Sequence, residues 1–223
     1  QTLDDLLFIF VDTVAKLKPK TVIMENVEGL AKGTAVNYLN KVYDKFKSIG
    51  YQVRCYLLKS EEMGVPQKRH RVFFIATKDL SFNYNNLDMN FNYEPVPYGC
   101  IKEGTSIKLD DRTKLGQLVL NARYGDVSCC DVFQRLYNTK NRKFFNQQFC
   151  YKDKVIYTVS THTDSNIDFE ERAFISDDTA RNSQTFPQDY DFNGNSVFYV
   201  CGMSVPPLMI KRIVDRMRKA KMI

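Results

Sequence analysis

Apolar residues at the start of the chain recur at three- and four-residue spacing through Leu3, Leu6, Leu7, Phe10, Val14 and Leu17. That stripe predicts an amphipathic helix over residues 3–17. Pro19 ends it, and Thr21-Val22-Ile23-Met24 follows as a short buried strand. Helical spacing returns over residues 34–48 through Ala35, Tyr38, Leu39, Val42, Tyr43 and Phe46, with Gly50 as the stop. Residues 51–58 and 71–77 read as strands. The loop between them is too short for a helical crossover, so they are expected to pair antiparallel. The order α-β-α-β-loop-β predicts an α/β fold, the back half of a doubly wound sheet.

After Lys78 the texture changes. Residues 81–99 are rich in Asn, Tyr and Pro and read as a linker. Residues 100–174 mix short apolar runs, such as 118–120 and 155–159, with polar turns, which predicts strands and loops rather than long helices. A last helix is expected to follow Pro206-Pro207, from near Leu208 to about Lys219. Its apolar positions are Ile210, Ile213, Val214 and Met217. Arg216, Arg218, Lys219 and Lys221 suit its C-terminal end.

The chain has 223 residues, enough to bury a sizeable core. No run of eighteen apolar residues and no secretory leader is visible, so a cytoplasmic setting without membrane contact is expected. Six cysteines occur without a Cys-x-x-Cys pair, and only two His are present. Neither a metal site nor a disulfide framework is expected from that usage. Charge is segregated along the chain. Residues 101–160 carry 11 Lys/Arg against 6 Asp/Glu, residues 161–195 carry 2 against 8, and residues 196–223 carry 6 against 1. A basic middle segment suits contact with phosphates, though a solvated basic face gives the same pattern.

Two short segments carry the candidate chemistry. The first strand delivers Glu25 to its carboxyl end, where ligands are met in open α/β sheets. The strand over 71–77 is entered through Gly64-Val65-Pro66-Gln67-Lys68-Arg69-His70-Arg71. Taken singly, a Glu-Asn at a strand end usually caps a turn, and Arg69 and Arg71 are ordinary surface charges. Their order says more. Glu25-Asn26-Val27 and Gln67-Lys68-Arg69-His70-Arg71 resemble the sixth and eighth motifs of the C5-cytosine DNA methyltransferases, Glu-Asn-Val and Gln-x-Arg-x-Arg. Gln184-Thr185-Phe186-Pro187-Gln188-Asp189-Tyr190 is similar to the ninth, and Cys201-Gly202-Met203-Ser204-Val205-Pro206-Pro207 to the tenth. Asn182 stands where many members of that family have Arg, and Met203 replaces a usual Asn.

The resemblance implies a Rossmann-like methyltransferase core with a second, smaller, strand-rich target-recognition domain. The division it suggests is 1–90 for the rear of the catalytic core, 91–175 for target recognition, and 176–223 returning to the core. It implies transfer of a methyl group from S-adenosylmethionine to C5 of a cytosine flipped out of double-stranded DNA. In that chemistry a thiolate adds to C6 of the ring. Glu25 is then expected to share a proton with N3, while Arg71, with Arg69 second, holds O2 and the nearby carboxylate. Gln67 and Asn26 join the substrate side, Asn26 chiefly by fixing its loop. Met203 and Ser204 are expected to meet the cofactor through backbone groups.

Arg112, Lys114, Arg123, Arg135, Lys140, Arg142 and Lys143 are the candidate DNA contacts of the middle segment. In the block 138–143 amides stand beside cations, and Lys140, Arg142 and Lys143 are assigned to the substrate. The family's Gly-rich cofactor turn and its Pro-Cys nucleophile loop have no counterpart here. The expectation is therefore the rear portion of an enzyme, with those parts on a separate chain or a further N-terminal segment. The setting expected is a bacterial or phage-infected cell, in the style of restriction–modification. A catalytically silent DNA-binding subunit or paralogue and a tRNA cytosine methyltransferase are the alternatives.

Overall fold

A computed structural model describes residues 3–31, 36–140 and 144–223. The chain forms two compact units: Gln1–Lys59 with His70–Phe91 and Lys211–Ile223, and Ser60–Arg69 with Asn92–Ile210.

The first unit begins with helix α1 (Leu3–Leu17), strand β1 (Thr21–Val27), helix α2 (Val36–Ser48) and strand β2 (Gln52–Lys59). After a two-residue strand β3 (Gln67–Lys68), which belongs to the second unit, the chain returns as β4 (His70–Thr77). Sheet order is β1-β4-β2, with β4 antiparallel to both neighbours. The expected antiparallel pairing of the last two strands is thus present, with Leu58 opposite Arg71. Strand alternation explains the core. Val22 and Met24 of β1 and Val72, Phe74 and Ala76 of β4 join one buried cluster with Leu7, Val11 and Val14 of α1 and Val42 and Phe46 of α2. The buried face of α1 is rotated from the expected stripe. Val11 is fully buried, whereas Leu6 and Leu17 are 52% and 75% exposed. Gly50 closes α2 at φ 81°, where only glycine is at ease.

The second unit contains β5 (Thr105–Lys108), α3 (Lys114–Leu120), α4 (Cys129–Tyr137), β6 (Gln148–Cys150), β7 (Ile156–Tyr157), β8 (Asn166–Asp168), β9 (Ala173–Ile175), α5 (Asp177–Ser183) and α6 (Val197–Met203). A sheet of order β5-β9-β8-β6 forms its frame, and β3 pairs in parallel with β7. The run 118–120 proves helical. The Thr113 side chain accepts from Gly116 N–H at 3.0 Å and starts that helix. Buried Asp168 ties the sheet together. It accepts from the Tyr98 hydroxyl at 2.8 Å and pairs with Lys102 at 2.7 Å. The two units divide at Phe91/Asn92, and residues 60–69 and 176–210 group with the second unit.

Helix α7 (Pro207–Lys219) ends the chain, one residue earlier at its start than expected. The stretch Val197–Lys219 is long and apolar enough to cross a membrane. Two helices make it up, however, and each buries part of its apolar face, through Phe198 and Cys201 in α6 and Met209, Ile213 and Met217 in α7.

Candidate active site

In the first unit the antiparallel ladder sets Glu25 opposite Phe73 and Val27 opposite Arg71. Side chains two apart on a strand share a face, so Glu25 and Arg71 meet diagonally across the pair. Arg71 Nε lies 2.9 Å from Glu25 Oε1. Arg71 Nη1 donates to the His70 carbonyl at 2.8 Å. Burial lowers the Arg71 guanidinium from its ordinary value, and the Glu25 carboxylate opposes that shift. Neither end of the pair is sealed: the side chains are 16% and 31% exposed. Beside it, His70 Nδ1 stands 3.8 Å from Glu28 Oε2. Asn26 Oδ1 accepts from the Val27 N–H at 2.8 Å, which fixes the backbone leaving β1. The arrangement is a carboxylate with an adjacent fixed guanidinium at the carboxyl end of a strand. It can offer a proton-sharing group and a cationic donor side by side.

The other half of the eighth-motif segment lies in the second unit, and here the structure corrects the expectation. Gln67 is fully buried. Its amide nitrogen donates to Ser183 O at 3.1 Å and to Gln184 Oε1, and its oxygen accepts from Val159 N at 3.0 Å. A side chain held from both ends inside the core braces the unit and does not face a substrate. Arg69 is 3% exposed and donates from Nη2 to the Gly202 carbonyl at 2.8 Å. Its own N–H is held by Ser60 Oγ at 2.6 Å. Arg69 is thus a brace for the end of α6. The turn leading to these residues uses Gly64 at φ 68°.

The tenth-motif loop is built around Gly202. A Cβ there would stand 2.4 Å from Thr161 N and 2.6 Å from Ser160 C. Only glycine lets that backbone pass. Ser204 caps α6: its N–H donates to Val200 O at 3.0 Å, and its carbonyl accepts from Gln184 Nε2 at 2.9 Å. The Ser204 N–H is thus engaged within α6, and its carbonyl accepts one bond from Gln184, with a second lone pair remaining. Met203 differs, being 67% exposed. Gln184 and Ser60 were not assigned a role from sequence. Their importance follows from partners more than a hundred positions away or across a turn, which no local pattern shows.

Among the basic candidates, Arg112 is paired with Asp110 at 2.7 Å and Arg135 with Asp126 at 2.6 Å. Lys114 sits over the rings of Phe133, Tyr137 and Phe145. Lys140 is exposed. Arg142 and Lys143 lie outside the described residues. Burial pushes four of the thiols away from reactivity: Cys55 rises to about 11, Cys129 and Cys201 to about 12, and Cys150 upward as well. A nucleophilic cysteine needs the opposite shift.

The α/β fold, with acid and guanidinium at a strand end, is of the Rossmann-like methyltransferase class. Solved structures share the fold. The Entamoeba histolytica methyltransferase EhMeth is 10% identical with TM-score 0.62, over 89% of this chain and 62% of that one. A Spodoptera frugiperda DNMT2 variant is 16% identical with TM-score 0.61, over 95% and 70%. The family model for C-5 cytosine-specific DNA methylase matches residues 1–219, and the chain belongs to that family. Type II methyltransferase M.AplI of Arthrospira platensis is 27% identical over 232 residues, 96% of this chain and 61% of the relative. M.BsuRI of Bacillus subtilis is 37% identical over 76 residues, 34% of this chain and 17% of the relative. The chain therefore spans less than two thirds of either curated relative.

Proposed function

We propose that this chain supplies the base-binding half of a DNA (cytosine-5-)-methyltransferase. The observation that carries the reading is the Glu25–Arg71 pair, 2.9 Å apart at the carboxyl end of β1, in a chain of the C-5 cytosine-specific DNA methylase family. When a nucleophile adds to C6 of cytosine, negative charge spreads toward N3 and O2. Glu25 holds a proton or hydrogen bond at N3, and Arg71, already fixed through Nε and Nη1, turns its remaining fork nitrogen to O2. The guanidinium also keeps the carboxylate in place, which lowers the cost of reorganisation during reaction. S-adenosylmethionine supplies the electrophilic methyl group, with exposed Met203 as this chain's contact to it. The nucleophilic thiolate comes from polypeptide outside these 223 residues, consistent with the raised pKa of the buried thiols Cys129, Cys150 and Cys201. Residues 91–175 act as the target-recognition region on double-stranded DNA, with Lys140, Arg142 and Lys143 on phosphates. The setting is the cytoplasm of a bacterial or phage-infected cell.

The test is bisulfite sequencing of DNA from cells expressing this gene together with the coding sequence directly upstream. The expected result is 5-methylcytosine in one fixed sequence context, lost in the Glu25→Gln variant. Full methylation by Glu25→Gln refutes the role of the pair. No methylation with the unaltered chain leaves the DNA-binding subunit as the better reading.

A further inference from the structure

The stretch 132–152 carries five Lys or Arg and six aromatic residues, with no Asp or Glu. Cations interleaved with rings are the composition that suits a nucleic-acid strand: the cations follow the phosphates and the rings take base faces. In the second unit several of these rings meet. Helix α4 sets Phe133 and Tyr137 four residues apart on one face, with their ring centroids 4.8 Å apart. Phe145 returns to Phe133 at 5.5 Å. Lys114, from the start of α3, places its ammonium 5.3, 5.6 and 5.7 Å from the centroids of Phe133, Tyr137 and Phe145. Attraction of a cation to ring faces ties the two helices together there.

The cluster is not a closed core. Tyr137 is 57% exposed, and its neighbour Leu136 and the residue before Phe145, Phe144, are exposed as well. Large apolar side chains gathered at the surface mark a contact face. Phe145 holds φ 59°, a left-handed conformation that is costly for a bulky side chain and persists only where its surroundings impose it. Charge selects the occupant. A face drawn from an acid-free, cationic stretch complements a polyanion, and its rings complement the flat face of a base. Base faces are offered when a nucleotide leaves the stack.

We infer that the end of α4 is a stacking platform for a base face exposed in bound DNA, with Tyr137 as its principal contact. The inference rests on the proposed function, because it requires the chain to bind DNA. The experiment measures binding of the full chain, Tyr137→Phe and Tyr137→Ala to a perfect duplex and to the same duplex with a central bulge. The bulge carries 2-aminopurine, whose fluorescence falls when the base stacks on a ring. The unaltered chain should bind the bulged duplex about tenfold more tightly than the perfect one, within the range of one aromatic–base contact, and quench the probe. Tyr137→Phe, which keeps the ring, should retain both effects. Tyr137→Ala should lose both while its salt dependence, set by the cations, stays as it was. Equal affinity of the unaltered chain for the two duplexes overturns the platform alone. So does preference or quenching that persists in Tyr137→Ala, with circular dichroism showing a folded protein. So does self-association of the unaltered chain in analytical ultracentrifugation that Tyr137→Ala abolishes, since the face would then join two copies of the chain. Failure of the unaltered chain to bind either duplex overturns the DNA-binding reading and the platform with it.

Discussion

Replacing Gly202 with alanine puts a methyl carbon where backbone already stands. The new Cβ would lie 2.4 Å from Thr161 N, 2.6 Å from Ser160 C and 2.8 Å from Thr161 Cα. All three neighbours are main chain, so no flexible side-chain tip can swing away. Either the end of α6 or the 160–161 loop must move by the better part of an ångström. Overpacking of this kind costs about 1–3 kcal/mol. Movement of α6 also disturbs the Arg69–Gly202 hydrogen bond, 2.8 Å long and charge-assisted, worth about 1.5–3 kcal/mol. Alanine returns about 1 kcal/mol through its better helix propensity. The net loss is roughly 1.5–5 kcal/mol, on the order of 10 °C in melting temperature for a chain of this length. Thermal unfolding followed by circular dichroism reads it. The sign is the sharp part, since glycine-to-alanine inside an ordinary helix stabilises. A melting temperature equal to or above that of the unaltered chain would refute the close approach described for Gly202.

Glu25→Gln in the complete enzyme should lower turnover by at least about a hundredfold, as expected for an acid–base group, with DNA affinity unchanged in a gel-shift titration. The 223-residue chain alone, given labelled S-adenosylmethionine and mixed-sequence DNA, should transfer no label to cytosine, because its sequence has neither a Pro-Cys loop nor the Gly-rich turn of the family. Of the cysteines, exposed Cys100 should react first with a thiol reagent, and buried Cys129, Cys150 and Cys201 only on unfolding, in a time course of released chromophore. Burial raises the pKa of Asp126, but hydrogen bonds from Arg135 and from the Arg123 N–H outweigh it and leave it lowered. The stability that Asp126 contributes is therefore present above its unfolded pKa of about 3.9 and lost as pH falls through the folded value. Asp126→Asn should flatten the acid limb of a stability–pH profile below about pH 4, where the unaltered chain should show it.

Much of the first unit was legible because its signals are local. The periodic apolar positions of α1 and α2, the stop at Gly50 and the short loop between strands each act within a few residues. The rotation of α1 was not legible. Leu6 and Leu17 belong to the same apolar stripe as Leu7, and only packing against β1 and β4 selects Leu7, Val11 and Val14. The helix over 114–120 was hidden for a related reason: Leu118-Val119-Leu120 fits a strand as well as a helix, and the Thr113 cap decides. The capping of Ser204 by Gln184 depends on residues twenty positions apart, beyond any spacing rule.

The eighth-motif segment shows how one short pattern can carry two kinds of role. Read from chemistry, Gln67, Arg69 and Arg71 are three polar groups at two-residue spacing that all face a base. Their surroundings separate them. Gln67 is closed in by Val159, Ser183 and Gln184, and Arg69 is committed to Gly202. Arg71 instead meets a carboxylate and keeps partial exposure. A guanidinium buried against a carbonyl resists displacement, since its removal strands a charge in the interior. One paired beside a partly open carboxylate can bind a third group. Arg69→Lys should therefore weaken folding while leaving the Glu25–Arg71 pair intact, because the compact lysine cannot reproduce a fixed fork. Arg71→Lys should leave folding nearly unchanged and reduce turnover of the complete enzyme. Comparison of melting temperature and turnover for the two variants checks the division. Equal losses of stability in both, or full activity in Arg71→Lys, would show that the two arginines share one role.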